Sequence, residues 1–90
     1  LTTGTSPRSV AIGDLDGDGK PDLVTANYNP NTVSVLRNTS SSGSIGLGSF
    51  AANVDFATGT TPTSVAIGDL DGDGKPDLAV ANNIANTVSV

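Results

Sequence analysis

The chain has 90 residues, of which nine are acidic, all of them Asp, and four are basic. A formal net charge of −5 argues against a nucleic-acid surface, which needs basic side chains to displace the counterions of phosphates. The chain contains no Cys and no long apolar run, so we expect no disulfide, no thiolate metal site and no membrane insertion.

Four short strands separated by turns are the predicted elements of the first part of the chain. Small residues alternate with Val10 and Ile12 in the first, and β-branched residues mark the second and third. In the fourth, Val54 and Phe56 stand two positions apart, with Asp55 between them expected to be solvated. Gly, Pro and Asn fill the connections, and no window has helical spacing. The predicted strands cover residues 9–13, 23–27, 32–36 and 50–57.

The chain repeats itself with a period of 55 residues. Residues 9–23, "SVAIGDLDGDGKPDL", return unchanged at 64–78, and 26 of the first 35 residues equal their partners 55 positions later. Such a period is typical of repeat proteins, in which one unit cannot cover its own faces and neighbouring units must do so. We divide the chain into the end of a preceding unit (1–8), a complete unit (9–57), a linker (58–63) and the first three strands of a second unit (64–90).

Eight of the nine Asp residues lie in the two copies of the loop "DLDGDGKPD". The carboxylates fall at loop positions 1, 3, 5 and 9, and glycines at positions 4 and 6 allow the positive φ that a curled loop requires. Oxygen ligands at this spacing suit a hard cation, and calcium best, because it accepts six to eight oxygens in irregular geometry. The predicted ligands of two ions are Asp14, Asp16, Asp18, the Lys20 carbonyl and Asp22, and Asp69, Asp71, Asp73, the Lys75 carbonyl and Asp77.

The loop has two other interpretations. Asp and Gly are common turn residues, but a turn does not require four carboxylates at fixed spacing, twice. An EF-hand requires Glu at position 12 and flanking helices, whereas Thr25 and Val80 occupy that position and the chain has no Glu. The calcium loop is therefore the preferred interpretation.

The segments "SVAIGDLDGDGKPDLVTAN" and "SVAIGDLDGDGKPDLAVAN" closely resemble the FG-GAP/VCBS repeats of integrin α-subunit-like β-propellers, in particular the bacterial secreted type. The resemblance implies an all-β fold of propeller-type blades, each of four short antiparallel strands, with a calcium loop between the first and second strands. The same loop residues are then the ligands, and the chain is secreted, extracellular or on the cell surface. The "FG" and "GAP" segments that name the family are not matched, which weakens any transfer of integrin ligand binding.

We predict a protein that is not an enzyme, because its clustered carboxylates are committed to the cation and His, Cys and Glu are absent. The preferred function is a calcium-stabilised module for structure, self-assembly or extracellular adhesion. The alternative is a carbohydrate- or protein-binding propeller module attached to a secreted enzyme. Two loops, 27–31 and 82–86, are rich in Asn and differ between the repeats, but we expect them to be hairpin connections. Residues 38–40, "NTS", form an N-glycosylation sequon.

The expected partners are further copies of the chain, or further repeats of the same chain, with a glycan as a possible ligand. A closed propeller takes typically four to eight blades, more than this chain supplies. Blade faces at both ends and the edge at 87–90 would then be uncovered. Copies could cover them by closing a ring or by growing a filament.

Overall fold

A computed structural model describes residues 1–41, 43, 45–46, 48–84 and 87–89. The described residues form strands and turns, and no helix. No helix long and apolar enough to cross a membrane occurs in this part of the chain. The seven strands are β1 (Pro7–Gly13), β2 (Asp22–Asn27), β3 (Thr32–Leu36), β4 (Val54–Ala57), β5 (Pro62–Gly68), β6 (Asp77–Asn82) and β7 (Thr87–Ser89).

The first sheet has the order β1-β2-β3-β4, with every neighbouring pair antiparallel. Ile12 pairs with Leu23, which pairs with Leu36, so these residues share one face of the sheet. Ala11, one position earlier, pairs with Val24 on the opposite face. The Asp/Gly loop connects β1 to β2, as expected for the fold class.

The second sheet repeats the first with an offset of 55 residues. Its order is β5-β6-β7, Ile67 pairs with Leu78, and Ala66 pairs with Ala79. The end of the second unit at Val90 and two residues of its Asn-rich loop, 85 and 86, lie outside the described residues. Equal sequences therefore form equal hairpins, because strand pairing is determined by the same loop and the same alternation of side chains.

The core lies between the two sheets, where β5 packs across β1 and β2. The buried cluster takes Val24, Ala26 and Val33 from one face of the first sheet, and Val65 and Val80 from the second. Small residues in β1 and β2 allow this close approach. The arrangement is a four-stranded sheet stacked on a three-stranded sheet, consistent with the expected all-β repeat.

Three strand boundaries differ from the sequence-based expectation. The second strand begins at Asp22, one residue before the predicted start. The first strand of each unit begins at Pro7 and Pro62, two residues before the predicted start, and both strands have an irregular register at that point. The fourth strand is shorter than predicted and begins at Val54. Asn38 pairs with Phe50 in an isolated bridge, although Val35 pairs with Val54. Between these two pairs, one segment spans three residues (35 to 38) and the other spans four (50 to 54). The segment before β4 therefore contains one extra residue that interrupts the ladder, as in a β-bulge.

Candidate metal centre

The first Asp/Gly loop gathers three predicted ligands. Carboxylate oxygens of Asp14, Asp16 and Asp18 all lie within 4.8 Å of one another. Gly17 and Gly19 have φ of 78° and 87°, a conformation that L side chains rarely adopt. The two glycines therefore let the backbone curl so that alternate carboxylates approach the same point.

Backbone N–H groups hold these carboxylates in place. Asp14 accepts three such bonds: Oδ1 from Gly17 at 2.9 Å and from Asp18 at 3.2 Å, and Oδ2 from Gly19 at 2.8 Å. The Oδ1 of Asp18 accepts from the Lys20 N–H at 2.9 Å. This network orients the oxygens. Asp14 Oδ2 and Asp18 Oδ1 each accept one of these bonds and keep a further lone pair, whereas Asp14 Oδ1 accepts two.

Asp22, the fourth predicted carboxylate, lies outside the group of three. It is 1% exposed, and both of its oxygens accept backbone hydrogen bonds: Oδ2 from Leu15 at 2.9 Å and Oδ1 from Asn38 at 2.8 Å. Asn38 follows β3, sixteen residues along the chain. Asp22 therefore links the loop to the chain that leaves the third strand.

The second loop brings all four of its predicted carboxylates together. Oxygens of Asp69, Asp71, Asp73 and Asp77 lie within 4.8 Å of one another. Asp77 is half-buried. It accepts a hydrogen bond from the Leu70 N–H at 2.9 Å, as Asp22 does from the Leu15 N–H. The two loops thus share their local hydrogen bonds. They differ at the last carboxylate, because the Asn38 N–H donates to Asp22 of the first loop.

The charges of the loops affect one another. The pKa of the exposed Asp16 is raised, first by partial desolvation and then by the nearby Asp18 and Asp22 carboxylates, while the hydrogen bond from the Asp18 N–H opposes the rise. The Lys20 N–H lowers the pKa of Asp18, and the Gly74 N–H lowers that of Asp69. The two loops also face a common cleft of about 460 Å³, lined by Leu15, Asp16 and Gly17 from one loop and residues 73–77 from the other. Both loops therefore concentrate negative charge at one end of the paired sheets.

The donor set of each loop is made of oxygen atoms. Carboxylates closer than about 5 Å repel by about 1 kcal/mol per pair in water and more in a lower dielectric, which a divalent cation would reverse. Hard cations, calcium above all, prefer such ligands, while zinc and copper prefer the nitrogen and sulfur ligands that this chain lacks. The carbonyls of Lys20 and Lys75 stay predicted ligands, since the observed contacts of both residues are made by their N–H groups.

Asn38 is the site residue that sequence reasoning missed. The sequence places it in a sequon, yet the residue is only 8% exposed. Its Nδ2 donates to the Pro21 carbonyl at 2.9 Å, and its Oδ1 accepts from the Ser40 N–H and hydroxyl. In the folded chain, the nitrogen that a glycan would occupy is thus already bonded. The signal available in the sequence was its place just after the third strand, where the chain returns to the loop.

The Asn-rich loop of the first unit is a hairpin connection, as predicted. Residues 28–31 form a turn, and Asn31 has a φ of 56°. The backbone oxygen of Asn31 accepts a hydrogen bond from the Thr58 N–H, and its Oδ1 accepts one from the Thr61 N–H. The turn therefore also holds the connection between the two units.

Comparison with known proteins gives one family. A model described as FG-GAP-like repeat matches residues 14–80, more than half of the chain. The matched span contains both Asp/Gly loops. No curated protein and no solved structure matches the chain significantly.

Proposed function

This chain belongs to the FG-GAP-like repeat family, and on that premise we propose that it is a non-catalytic module whose two stacked sheets are stabilised by calcium. One ion would bind in each Asp/Gly loop. The observation that carries the proposal is the convergence of carboxylate oxygens within 4.8 Å in both loops. A bound cation would offset the repulsion between these carboxylates.

The first ion would be held by Asp14, Asp16 and Asp18, and the second by Asp69, Asp71, Asp73 and Asp77. Asp22 can contribute a remaining lone pair of either oxygen, since each oxygen accepts one hydrogen bond. The bound ion would supply the positive charge that the loop lacks, and the backbone carbonyl at position 7 would complete its oxygen shell. Magnesium fits less well, because it demands octahedral geometry and retains its waters.

The place of each loop explains why the proposed role is structural. Each loop joins the first and second strands of its sheet, so an ion there would fix the hairpin that supplies most of the core. Through Asp22 and Asn38, the first ion would also position the chain beyond β3. Calcium binding and sheet formation are thereby coupled.

Proteins with FG-GAP repeats are typically extracellular or on the cell surface, and we assign this chain to that environment. Extracellular calcium modules bind with dissociation constants of about 10⁻⁴ to 10⁻³ M. Such sites would be filled in millimolar calcium and empty inside a cell.

Calorimetric titration with calcium tests the proposal. We expect two ions per chain, and one ion in each of the variants Asp16→Asn and Asp71→Asn, which change equivalent positions of the two loops. Asp55→Asn is the matched control, because it removes the same charge outside the loops and should keep both ions. A chain that binds no calcium at millimolar concentration, or two ions in every variant, would contradict the proposal.

A ligand-binding role is the alternative function. Tyr28 in the β2–β3 turn is the aromatic residue suited to stack on a sugar. However, the Arg8 guanidinium lies 4.6 Å from the centre of the Tyr28 ring and covers one of its two faces. A glycan array probed in calcium distinguishes the two functions. Specific binding that is lost in Tyr28→Ala would favour the alternative.

The isolated chain is expected to show no turnover. FG-GAP repeats are typically non-catalytic modules, and the carboxylates that could act as bases are, in the proposed function, metal ligands. Polysaccharide, lipid and peptide substrates should be unchanged after prolonged incubation in calcium. Hydrolysis or elimination that disappears in Asp22→Asn would show that this prediction is wrong.

A further inference from the structure

The contact between the two sheets contains a specific fit of a large side chain against a glycine. Ile67 of β5 lies over Gly13 of β1: a Cβ built on Gly13 would stand 3.1 Å from the Ile67 Cδ1 and 3.2 Å from its Cγ2. Val65, two residues before Ile67 on the same face, belongs to the buried core with Val24 and Ala26 of β2. One face of the second sheet thus docks on the small-residue face of the first.

Because the units repeat, each half of this contact occurs a second time, and among the described residues both of these second halves face outward. Ile12 and Val10 are the equivalents of Ile67 and Val65, and they are 67% and 59% exposed. Gly68 is the equivalent of Gly13, and a Cβ built on it would meet no atom within 4 Å. Around Gly68, Ala66 and Ala81 are exposed, whereas their equivalents Ala11 and Ala26 are half-buried and buried.

We propose that a second copy of this chain docks head-to-tail, with Ile12 of one copy placed over Gly68 of the next. The outer face of β1 would cover β5 and β6 of the neighbour, as β5 covers β1 and β2 within the chain. A second copy is the proposed occupant because, within the chain, a surface equivalent to each exposed half packs against a surface equivalent to the other. Such a contact uses two different surfaces, so it repeats from copy to copy and ends only in a closed ring or a filament.

Net charge opposes this association and calcium would favour it. Each copy carries a formal charge of −5, which two bound divalent ions would change to −1, since −5 + 4 = −1. Copies should therefore associate more tightly in calcium or in salt. The docked strand faces contain no loop carboxylate, but by the same equivalence residues 18–22 of one copy would face residues 70–72 of the next, as residues 73–77 face 15–17 within the chain. Ions bound in both loops would remove the repulsion between them.

The contact between copies is expected to be weaker than the contact within the chain. Val24, fully buried in the first sheet, has Ala79 as its equivalent, which leaves a smaller apolar surface on the second sheet. The substitution Ala79→Val gives the second sheet the residue that the first sheet has at the equivalent position, Val24. Its two added methyl groups should tighten association on the order of tenfold, at the usual free energy per buried methyl group.

Sedimentation velocity across a micromolar concentration series, with and without calcium, tests the proposal. We expect concentration-dependent species larger than a monomer, which Ile12→Asp and Gly68→Val both abolish. Gly68→Val adds its side chain into open space in the single copy, so circular dichroism should report an unchanged fold. The matched controls are Ile45→Asp and Gly48→Val, which make the same changes at exposed positions outside both docking faces and should leave association intact.

Mixing the two blocked variants gives the sharpest result. The Ile12→Asp chain keeps an intact Gly68 surface, and the Gly68→Val chain keeps an intact Ile12 surface, so the mixture should form a 1:1 complex and stop there. A symmetric contact would not be rescued by mixing. A folded monomer at every concentration, with or without calcium, would overturn the proposal even if two calcium ions bind, and association without calcium binding would support it while contradicting the proposed function.

Discussion

Ser34 shows how one hydroxyl can be fully satisfied in a sheet interior. It accepts from the Gly4 N–H at 3.0 Å and from the Asn27 Nδ2 at 2.8 Å, and it donates to the Asp55 Oδ1 at 2.6 Å. One donor and two acceptor positions are all that a hydroxyl offers. The sequence predicts a solvated Asp55. Its side chain is exposed, and the Ser34 hydroxyl and the Asn53 amide both donate to it.

These bonds make a pH-dependent contribution to stability. The Ser34 hydroxyl, and next the Asn53 amide, lower the pKa of Asp55 below its usual 3.8. A carboxyl with a depressed folded-state pKa stabilises the fold above its unfolded-state pKa, and this contribution is lost as the pH falls below 3.8 through the folded-state value. Because Asp55 is exposed, the contribution should be below about 1 kcal/mol.

Thermal melts of the natural chain and of Asp55→Asn should therefore differ near neutral pH and converge in acid. Comparing the two chains at each pH cancels the titration of the loop carboxylates, which both contain. A difference in melting temperature that stays constant from about pH 6 to pH 2.5 would show that Asp55 is not the titrating group.

At the scale of the strand, Asn27 is the last residue of β2, and its polar side chain lies inside the stack of sheets. It is fully buried, accepts from the Thr25 hydroxyl at 3.1 Å and donates to the Thr32 and Ser34 hydroxyls. Gly4 covers it so closely that a Cβ there would lie 2.5 Å from the Asn27 Nδ2. The second unit repeats this closeness, with Gly59 over Asn82 at 2.7 Å.

Asn27→Ala should lower the free energy of unfolding by about 3 kcal/mol, because three hydroxyls lose a partner in a buried place. Asn29→Ala, at an exposed turn position, is the control and should change it by less than about 0.5 kcal/mol. Gly4→Ala should destabilise the natural chain but have a much smaller effect in Asn27→Ala, where the clashing amide is gone. Additive effects in urea melts of the double variant would contradict this contact.

For the whole molecule, the decisive quantity is the charge held by the two loops. A 90-residue chain with no disulfide and few large apolar side chains has a small core, so ion binding should supply much of its stability. Filling one site to about 100 times its dissociation constant adds roughly 2.7 kcal/mol. Two such sites approach the total stability of a small domain.

Removal of calcium by a chelator should therefore lower the melting temperature by roughly 10 to 20 °C for each site. In excess calcium, Asp16→Asn and Asp71→Asn should each show about half of the loss. An unchanged melt in excess chelator would mean that the loops fold without an ion and that their carboxylates have another role.

The sequence by itself determined the local features of this protein. The 55-residue repeat, the alternation within each strand and the Asp spacing are encoded in neighbouring residues, so they predicted the hairpins, the loop between first and second strands, and the family. The convergence of carboxylates in each loop also follows from local geometry, because the bonds that orient them span only two to five residues.

Only the tertiary structure decided the contacts between residues that are distant along the chain. Asn38 reaches Asp22 across 16 residues, Ser34 reaches Asp55 across 21, and Gly4 reaches Ser34 across 30. The extra residue before β4 and the fit of Ile67 over Gly13 are of the same kind. Strand register and sheet stacking bring these groups together, and neither is specified by residue spacing within a single strand, because both depend on how the faces of different strands fill space.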